Sequence, residues 1–372
     1  ASCLVGSEMR IRDSDQGKAL ARSSTLTRLE LTRPDANAKE RYKKIVADPA
    51  GMDRLLVEIF LEAHEQPPAE IWLDLDATDD PLHGHQEGRF FHGYYGHYCY
   101  LPLYIFSAEH LLCARLRRSD IDACAGSVEE LDRILTQIRT RWPATRIIIR
   151  GDAGFCREEI MVWCEAHGVD YVLGVAKNAR LLAMSSSARV QAQIEYLASG
   201  EPSRVFCEFP YQTRESWSRE RRVAVKAEHL AKGENPSFVV TSLPAAQADA
   251  RTLYEDLYCA RGDMENRIKE QQLDLFADRT STQTMRANQI RLYFASFAYV
   301  LLCALRRLGL QGTELARAQC GSMRVKLLKI GAQVRISVRR VWISFSECYP
   351  YVALFGQILR NLRATPLCAG AP

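Results

Sequence analysis

The chain has 372 residues, 47% of them apolar and 25% charged, and a formal net charge of +4. That is an ordinary globular composition with room for one large domain or two smaller ones, and the small positive excess permits basic patches for nucleic acid without demanding them. The twelve cysteines are dispersed with no Cys-x-x-Cys pair, which excludes a readable zinc ribbon or thioredoxin motif and predicts reduced, structural thiols in a cytosolic protein.

Residues 1–50 are polar, and Arg10, Arg12, Asp13 and Asp15 precede any apolar run, so no secretory signal is read. Ser23, Ser24 and Thr25 offer helix-capping hydroxyls. Residues 53–64 carry Leu55, Leu56, Ile59 and Phe60 at helical spacing, and Pro67-Pro68 stops that helix. Residues 71–76 alternate apolar and acidic side chains, a strand pattern that puts Asp74 and Asp76 on one face. A Gly- and His-bearing loop and Tyr- and Leu-rich strands over 94–106 follow, then a helix over 128–138. The apolar run 146–150 predicts a buried strand ending in Gly151-Asp152-Ala153-Gly154, with a helix over 157–167 and a strand over 171–175 behind it. This order predicts an α/β fold: a mixed sheet flanked by helices, with acids at the strand ends.

Short strands at 205–211, 222–226 and 238–242 predict a β-rich insertion, after which helical periodicity returns over 247–276 and 288–308. The most apolar stretch, 292–305, is shorter than the roughly 20 residues of a bilayer span and predicts a core helix. Near the end Arg324, Lys326, Lys329, Arg335, Arg339 and Arg340 occur with no acid between them. They suit phosphate contact or a solvated face equally well.

Three places carry chemistry. In Asp74-Leu75-Asp76-Ala77-Thr78-Asp79-Asp80, two acids on one strand face repel each other unless a divalent cation or another partner relieves them; the alternative is a solvated acidic turn. Asp152 follows a buried strand between small neighbours and suits either a metal or the cap of a helix beginning near Phe155. Tyr258, Arg261 and Glu265 share a helix face at i, i+3 and i+7, offering a phenol, a guanidinium and a carboxylate; the alternative is an Arg–Glu pair on a wet helix. His83, His85, His92 and His97 match no standard zinc spacing.

These segments together resemble the DDE transposases of bacterial insertion sequences, in the insertion sequence 4 superfamily and most closely its insertion sequence 1380 branch. The resemblance runs through Leu73-Asp74-Leu75-Asp76-Ala77-Thr78-Asp79-Asp80-Pro81, Gly93-Tyr94-Tyr95, Tyr98-Cys99-Tyr100-Leu101-Pro102-Leu103 and Arg150-Gly151-Asp152-Ala153-Gly154-Phe155. It continues in Glu265-Asn266-Arg267-Ile268-Lys269-Glu270 and Val325-Lys326-Leu327-Leu328-Lys329-Ile330-Gly331-Ala332, and covers about residues 20–355.

The resemblance implies an RNase H-like core with a β-rich insertion before the last catalytic helix. It implies Asp76, Asp152 and Glu265 as catalytic residues holding two Mg²⁺ or Mn²⁺ ions, with Asp74 the alternative first acid. Tyr258, Arg261, Lys269, Arg324, Lys326, Lys329, Arg339 and Arg340 are the implied DNA contacts. The superfamily's Tyr-x2-Arg-x3-Glu signature is present, but its Lys seven positions after the Glu is Gln272 here, and Lys269 is the nearest cation. The expected activity is cleavage and strand transfer at insertion-sequence ends. The expected partners are terminal inverted repeats, target DNA and a second copy in a synaptic homodimer, with no membrane, in a bacterial cytoplasm near the nucleoid. The expected segments are 1–66 (helical, truncated relative to the family), 67–180 and 247–310 (core), 181–246 (insertion) and 311–372 (basic). The competing readings are a remnant that only binds terminal repeats and an RNase H-like nuclease.

Overall fold

Helix α1 (Pro49–Glu62) buries Leu56, Val57, Phe60 and Leu61 along one face, as their helical spacing requires. It opens the first of two units in the computed structural model, which describes residues 7–9, 23–33, 35–36, 46–338 and 340–365. The first unit comprises Pro49–Lys269 with Thr280–Met285; the second gathers the described parts of 1–48, 270–279 and 286–372.

In the first unit, β1 (Glu70–Ala77) is followed by three short strands, β2 (Asp80–Pro81), β3 (Phe90–His92) and β4 (His97–Tyr100), which form a separate small sheet in the order β2-β4-β3. β5 (Leu103–Ser107) and β6 (His110–Arg115) return antiparallel beside β1. Helix α2 (Ser127–Arg141) leads to β7 (Arg146–Gly151), and α3 (Glu158–Ala166) leads to β8 (Asp170–Val175); β1, β7 and β8 are parallel neighbours. Such crossovers need a helix between parallel strands.

Residues 181–246, expected as a β-rich insertion, begin within α4 (Ala179–Met184) and continue with α5 (Ser186–Ser199), β9 (Ser203–Tyr211), β10 (Arg221–Leu230), β11 (Gly233–Glu234) and β12 (Ser237–Thr241). These strands extend the main sheet, whose order is β9-β10-β12-β8-β7-β1-β5-β6, with β11 paired to β10. The α/β expectation of a large mixed sheet flanked by helices therefore holds.

Alternation along β1 divides the sheet's two faces. Ile71, Leu73 and Leu75 join Ile147, Ile149, Tyr171 and Leu173 in the main core beneath α2 and α3. Trp72 lies on the opposite face, in a smaller cluster with Ile148, Val172, Val239 and Leu253. Fully burying each such aliphatic side chain stabilises the fold by roughly 1.5–3 kcal/mol. Asp74 and Asp76 share the face of Trp72, toward the helical run that begins at Ala250.

The second unit contains the helix Ser23–Leu31, a three-stranded antiparallel sheet of Ser7–Met9, Val341–Phe345 and Ala332–Ile336, and the helix Val352–Ala364. The apolar stretch 292–305 sits inside a longer helix than expected, Met285–Leu308, whose 24 residues are long and apolar enough to cross a membrane by length and composition. Asn288, Ser296, Tyr293 and Tyr299 are buried along it, as in a core helix. Arg339, Cys3 and Cys368 lie outside the described residues. The ten described cysteines are free thiols, and six of them, including Cys113 and Cys164, are buried.

Candidate active site

Parallel pairing sets the first two acids side by side. The β1–β7 register matches Asp74 with Arg150 and Leu75 with Gly151, so the next residues along the two strands are Asp76 and Asp152. Both stand at carboxyl ends of central strands, where open α/β sheets place ligands.

Asp74 and Asp76 face the same way but meet different partners. The Arg150 guanidinium donates from Nε to Asp74 Oδ1 at 2.5 Å and from Nη2 to Oδ2 at 2.8 Å, a buried bidentate pair. Nη1 of the same side chain donates to the Leu257 carbonyl at 2.5 Å, tying the sheet to the helical run above it. Asp74 is thereby committed to a structural ion pair.

Asp76 has no such neutralising partner at close range. Burial, reinforced by the negative charges of Asp152 and Glu265, pushes its carboxyl up to about 6, against the opposing pull of Arg261 and the Ala77 N–H. The Arg261 Nη1 lies 3.4 Å from Asp76 Oδ2, while its Nη2 donates to Glu265 Oε1 at 2.8 Å. One guanidinium thus bridges the first and third acids, and Asp152 also acts on its charge.

Asp152 does not cap a helix. Its Oδ1 accepts the Gly154 N–H at 2.8 Å and its carbonyl accepts the Phe155 N–H at 3.1 Å, closing a turn. Helix α3 begins only at Glu158, with extended Arg157 as its N-cap. Gly151 fits closely here: a Cβ would come within 3.0 Å of Phe155 and 3.3 Å of Leu173, so either neighbour would have to shift.

Tyr258, Arg261 and Glu265 lie in one helical run whose winding changes along it. Residues Leu253–Tyr258 are π-helical, Cys259–Arg261 form a 3₁₀ turn, and α6 (Gly262–Lys269) is regular. Changes of winding of this kind concentrate at functional sites. The Tyr258 hydroxyl lies over Gly174 of β8, 2.5 Å from where a Cβ would stand, and that Cβ would also crowd the Ala153 N–H at 3.1 Å. Burial, with the charge of Asp152, pushes the Tyr258 phenol up to about 12.

The profile of the transposase DDE domain, group 1, matches residues 7–367. The chain belongs to the DDE transposase family. Among the curated proteins none matches it. As a member, the transposase is in general a DNA-cutting phosphoryl-transfer enzyme, and its family uses divalent metal ions.

The transposase offers a donor set that fits such an ion. Asp76, Asp152 and Glu265 would provide only oxygen ligands, as Mg²⁺ and Mn²⁺ prefer; burial chiefly raises the Asp76 carboxyl, and the charges of Asp152 and Glu265 that add to it are what a cation would relieve. Among the described residues no three His, Cys, Asp or Glu side chains are already close enough to share an ion. Arg261 instead occupies the space between Asp76 and Glu265. Of the histidines near β1, His83 and His85 are exposed, and His97 pairs with Asp79 at 2.7 Å.

Lys269 is exposed at the end of α6. Arg324, Lys326, Lys329 and Arg340 belong to the second unit, and Arg339 lies outside the described residues. Sequence reasoning missed Arg150, although strand alternation puts it on the face of Asp152. It also missed Arg267, whose charge acts on Asp74, and Tyr95, whose phenol is pushed up by burial and by the charges of Asp79 and Asp76.

Proposed function

We propose that this transposase cleaves DNA at insertion-sequence ends and joins them to target DNA, using Asp76, Asp152 and Glu265 on an RNase H-like core interrupted by the β-rich segment 181–246. The observation that carries the proposal is the shared guanidinium: Arg261 reaches Asp76 and Glu265, residues 189 positions apart at their outer ends, while the charge of Asp152 bears on the same Asp76. The chain's resemblance to the insertion sequence 4 superfamily, 1380 branch, supports the choice of substrate.

Two divalent ions held by these carboxylates would supply activation of the attacking oxygen and neutralisation of the leaving one. Asp76 and Asp152, fixed on rigid strand ends, set the position of the scissile phosphate. Glu265 approaches from α6 and is half-exposed, so it can adjust as substrate arrives. Arg261 grips a phosphate oxygen once it leaves the carboxylates, and Tyr258 shapes the floor beside Asp152. Arg150 holds Asp74 neutral as a pair and so keeps a fourth negative charge out of the phosphate's path. The basic residues of the second unit, together with Lys269, bind the DNA backbone, and synapsis of two ends calls for a homodimer. A bacterial cytoplasmic, nucleoid-associated setting follows from this reading.

Asp152→Asn should lower Mn²⁺-dependent cleavage of DNA by on the order of a thousandfold or more while leaving DNA affinity nearly unchanged. Near-normal cleavage by that variant would remove Asp152 from the site.

A further inference from the structure

The β3–β4 hairpin exposes aromatic side chains that no core uses. Tyr94 at its tip is 87% exposed and Phe91 58%, and Tyr98 is exposed opposite Phe91 across the ladder. A hairpin this short gains no stability from showing such surface to water, and exposed aromatic clusters mark interaction sites. Gly96, at φ +73°, closes the turn, and open space surrounds it.

The hairpin's two faces differ. On one face Phe91 and Tyr98 meet edge to face at 5.6 Å, with the Arg89 guanidinium 4.5 Å over the Tyr98 ring. On the other, Tyr95 packs near His92 and His97 and donates its hydroxyl to the Ala77 carbonyl at 3.5 Å, while His97 pairs with Asp79. Ala77 directly follows Asp76, so the second face is fastened to the strand end that carries the first acid. Tyr94 rests edge-on against Tyr95 at 5.1 Å, which places the exposed ring one aromatic layer from that anchor.

From Arg89 to Tyr100 there is one arginine, two histidines and no acid. Flat rings, a stacked guanidinium and a segment with no acid of its own suit a nucleobase beside a phosphate backbone, the neighbouring carboxylate, Asp79, being paired with His97 on the opposite face. Paired bases in a duplex hide their faces, so the occupant is an unpaired or extruded base. We propose that this hairpin is a stacking platform for unpaired bases of the DNA next to the scissile phosphate, with Tyr94 and Phe91 as the stacking rings. The proposal rests on the transposase reading of the site and deepens it.

The test uses the full chain in EDTA, with a random-sequence duplex and the same duplex carrying a short unpaired flap, followed by fluorescence anisotropy. Wild type should favour the flapped DNA, and 2-aminopurine in the flap should be quenched on binding. Phe91→Ala/Tyr94→Ala should reduce the preference by about tenfold and abolish the quenching, with duplex affinity and melting temperature unchanged. Tyr94→Trp should keep the preference. Equal wild-type affinity for the two DNAs would overturn the platform, as would equal losses on both in the double variant. So would dissociation of a wild-type dimer in the double variant with flap preference intact, which would assign the rings to a second copy of the chain. Normal metal-dependent cleavage without flap preference counts against the platform alone. Flap preference without cleavage counts against the proposed function alone.

Discussion

Asp76 and Asp74 leave β1 in the same direction two residues apart, yet their electrostatic settings diverge. The Arg150 fork satisfies both Asp74 oxygens in a buried bidentate pair. Asp76 has the Ala77 N–H on one oxygen and a longer contact to a guanidinium it shares with Glu265, and burial leaves its carboxyl near 6 instead of the usual 3.8. A carboxyl raised on folding binds more protons in the native state than in the unfolded one between those two values. Stability should therefore fall as pH rises from about 4 to about 6 and stay lower above, by on the order of 3 kcal/mol. Asp76→Asn removes that charge and should melt higher than wild type at pH 7.5, with the difference closing near pH 4. A melting series across pH checks this; an equal difference at both ends would trace the gain to packing. Sequence placed both acids on one face but could not choose between them by geometry. The partner that decides is 76 positions away in the chain, and only strand register brings it opposite.

At the scale of elements, β8 and the helical run above it are fitted to each other through one missing side chain. Gly174 pairs with Val239 in the sheet and leaves room for the Tyr258 hydroxyl. Gly174→Ala should push the phenol away from Asp152, costing about 1–3 kcal/mol from overpacking and lowering cleavage further than stability. Because the hydroxyl is the closest atom to the new methyl, adding Tyr258→Phe should recover much of the melting temperature. Calorimetry of both variants distinguishes this from a general loss of β8. The helical periodicity over 247–276 was legible from apolar spacing, and a helical run is there. Its π and 3₁₀ segments were not, because winding responds to the sheet contacts of Leu253, Tyr258 and Arg261 and not to local propensity. The strands over 203–241 were readable as strands, but their attachment to the edge of the main sheet was not. Period-two alternation says which face a residue takes, not which strand it pairs with.

Across the whole molecule, basic residues that look equivalent in sequence divide into packed and exposed groups. The Arg324 guanidinium donates to the Asp274 carbonyl and lies 4.5 Å over the Phe276 ring, and Lys326 sits 4.9 Å over Tyr351 and 3.5 Å from Glu314. Lys329 and Arg335 are exposed. If the second unit contacts the DNA backbone, Lys329→Ala/Arg335→Ala should weaken binding to all sequences alike and reduce the slope of log affinity against log salt by about 2. Arg324→Ala should instead lower the melting temperature and leave the slope in place. A salt titration of both variants separates the two outcomes; an unchanged slope in the double variant would take these residues out of the interface.

The sequence by itself determined the α/β class, the strand bearing Asp76, the strand that Asp152 follows, the helix bearing Glu265 and the family to which the chain belongs. Each of these is written in local alternation, apolar runs and short motifs, which neighbouring residues enforce. Tertiary structure alone decided that Arg150 disarms Asp74, that Arg261 joins Asp76 to Glu265, and that the aromatic hairpin is anchored beside Ala77. Those depend on register and on contacts between distant segments, where a charge's cost or benefit is set by what folding brings within a few ångströms of it.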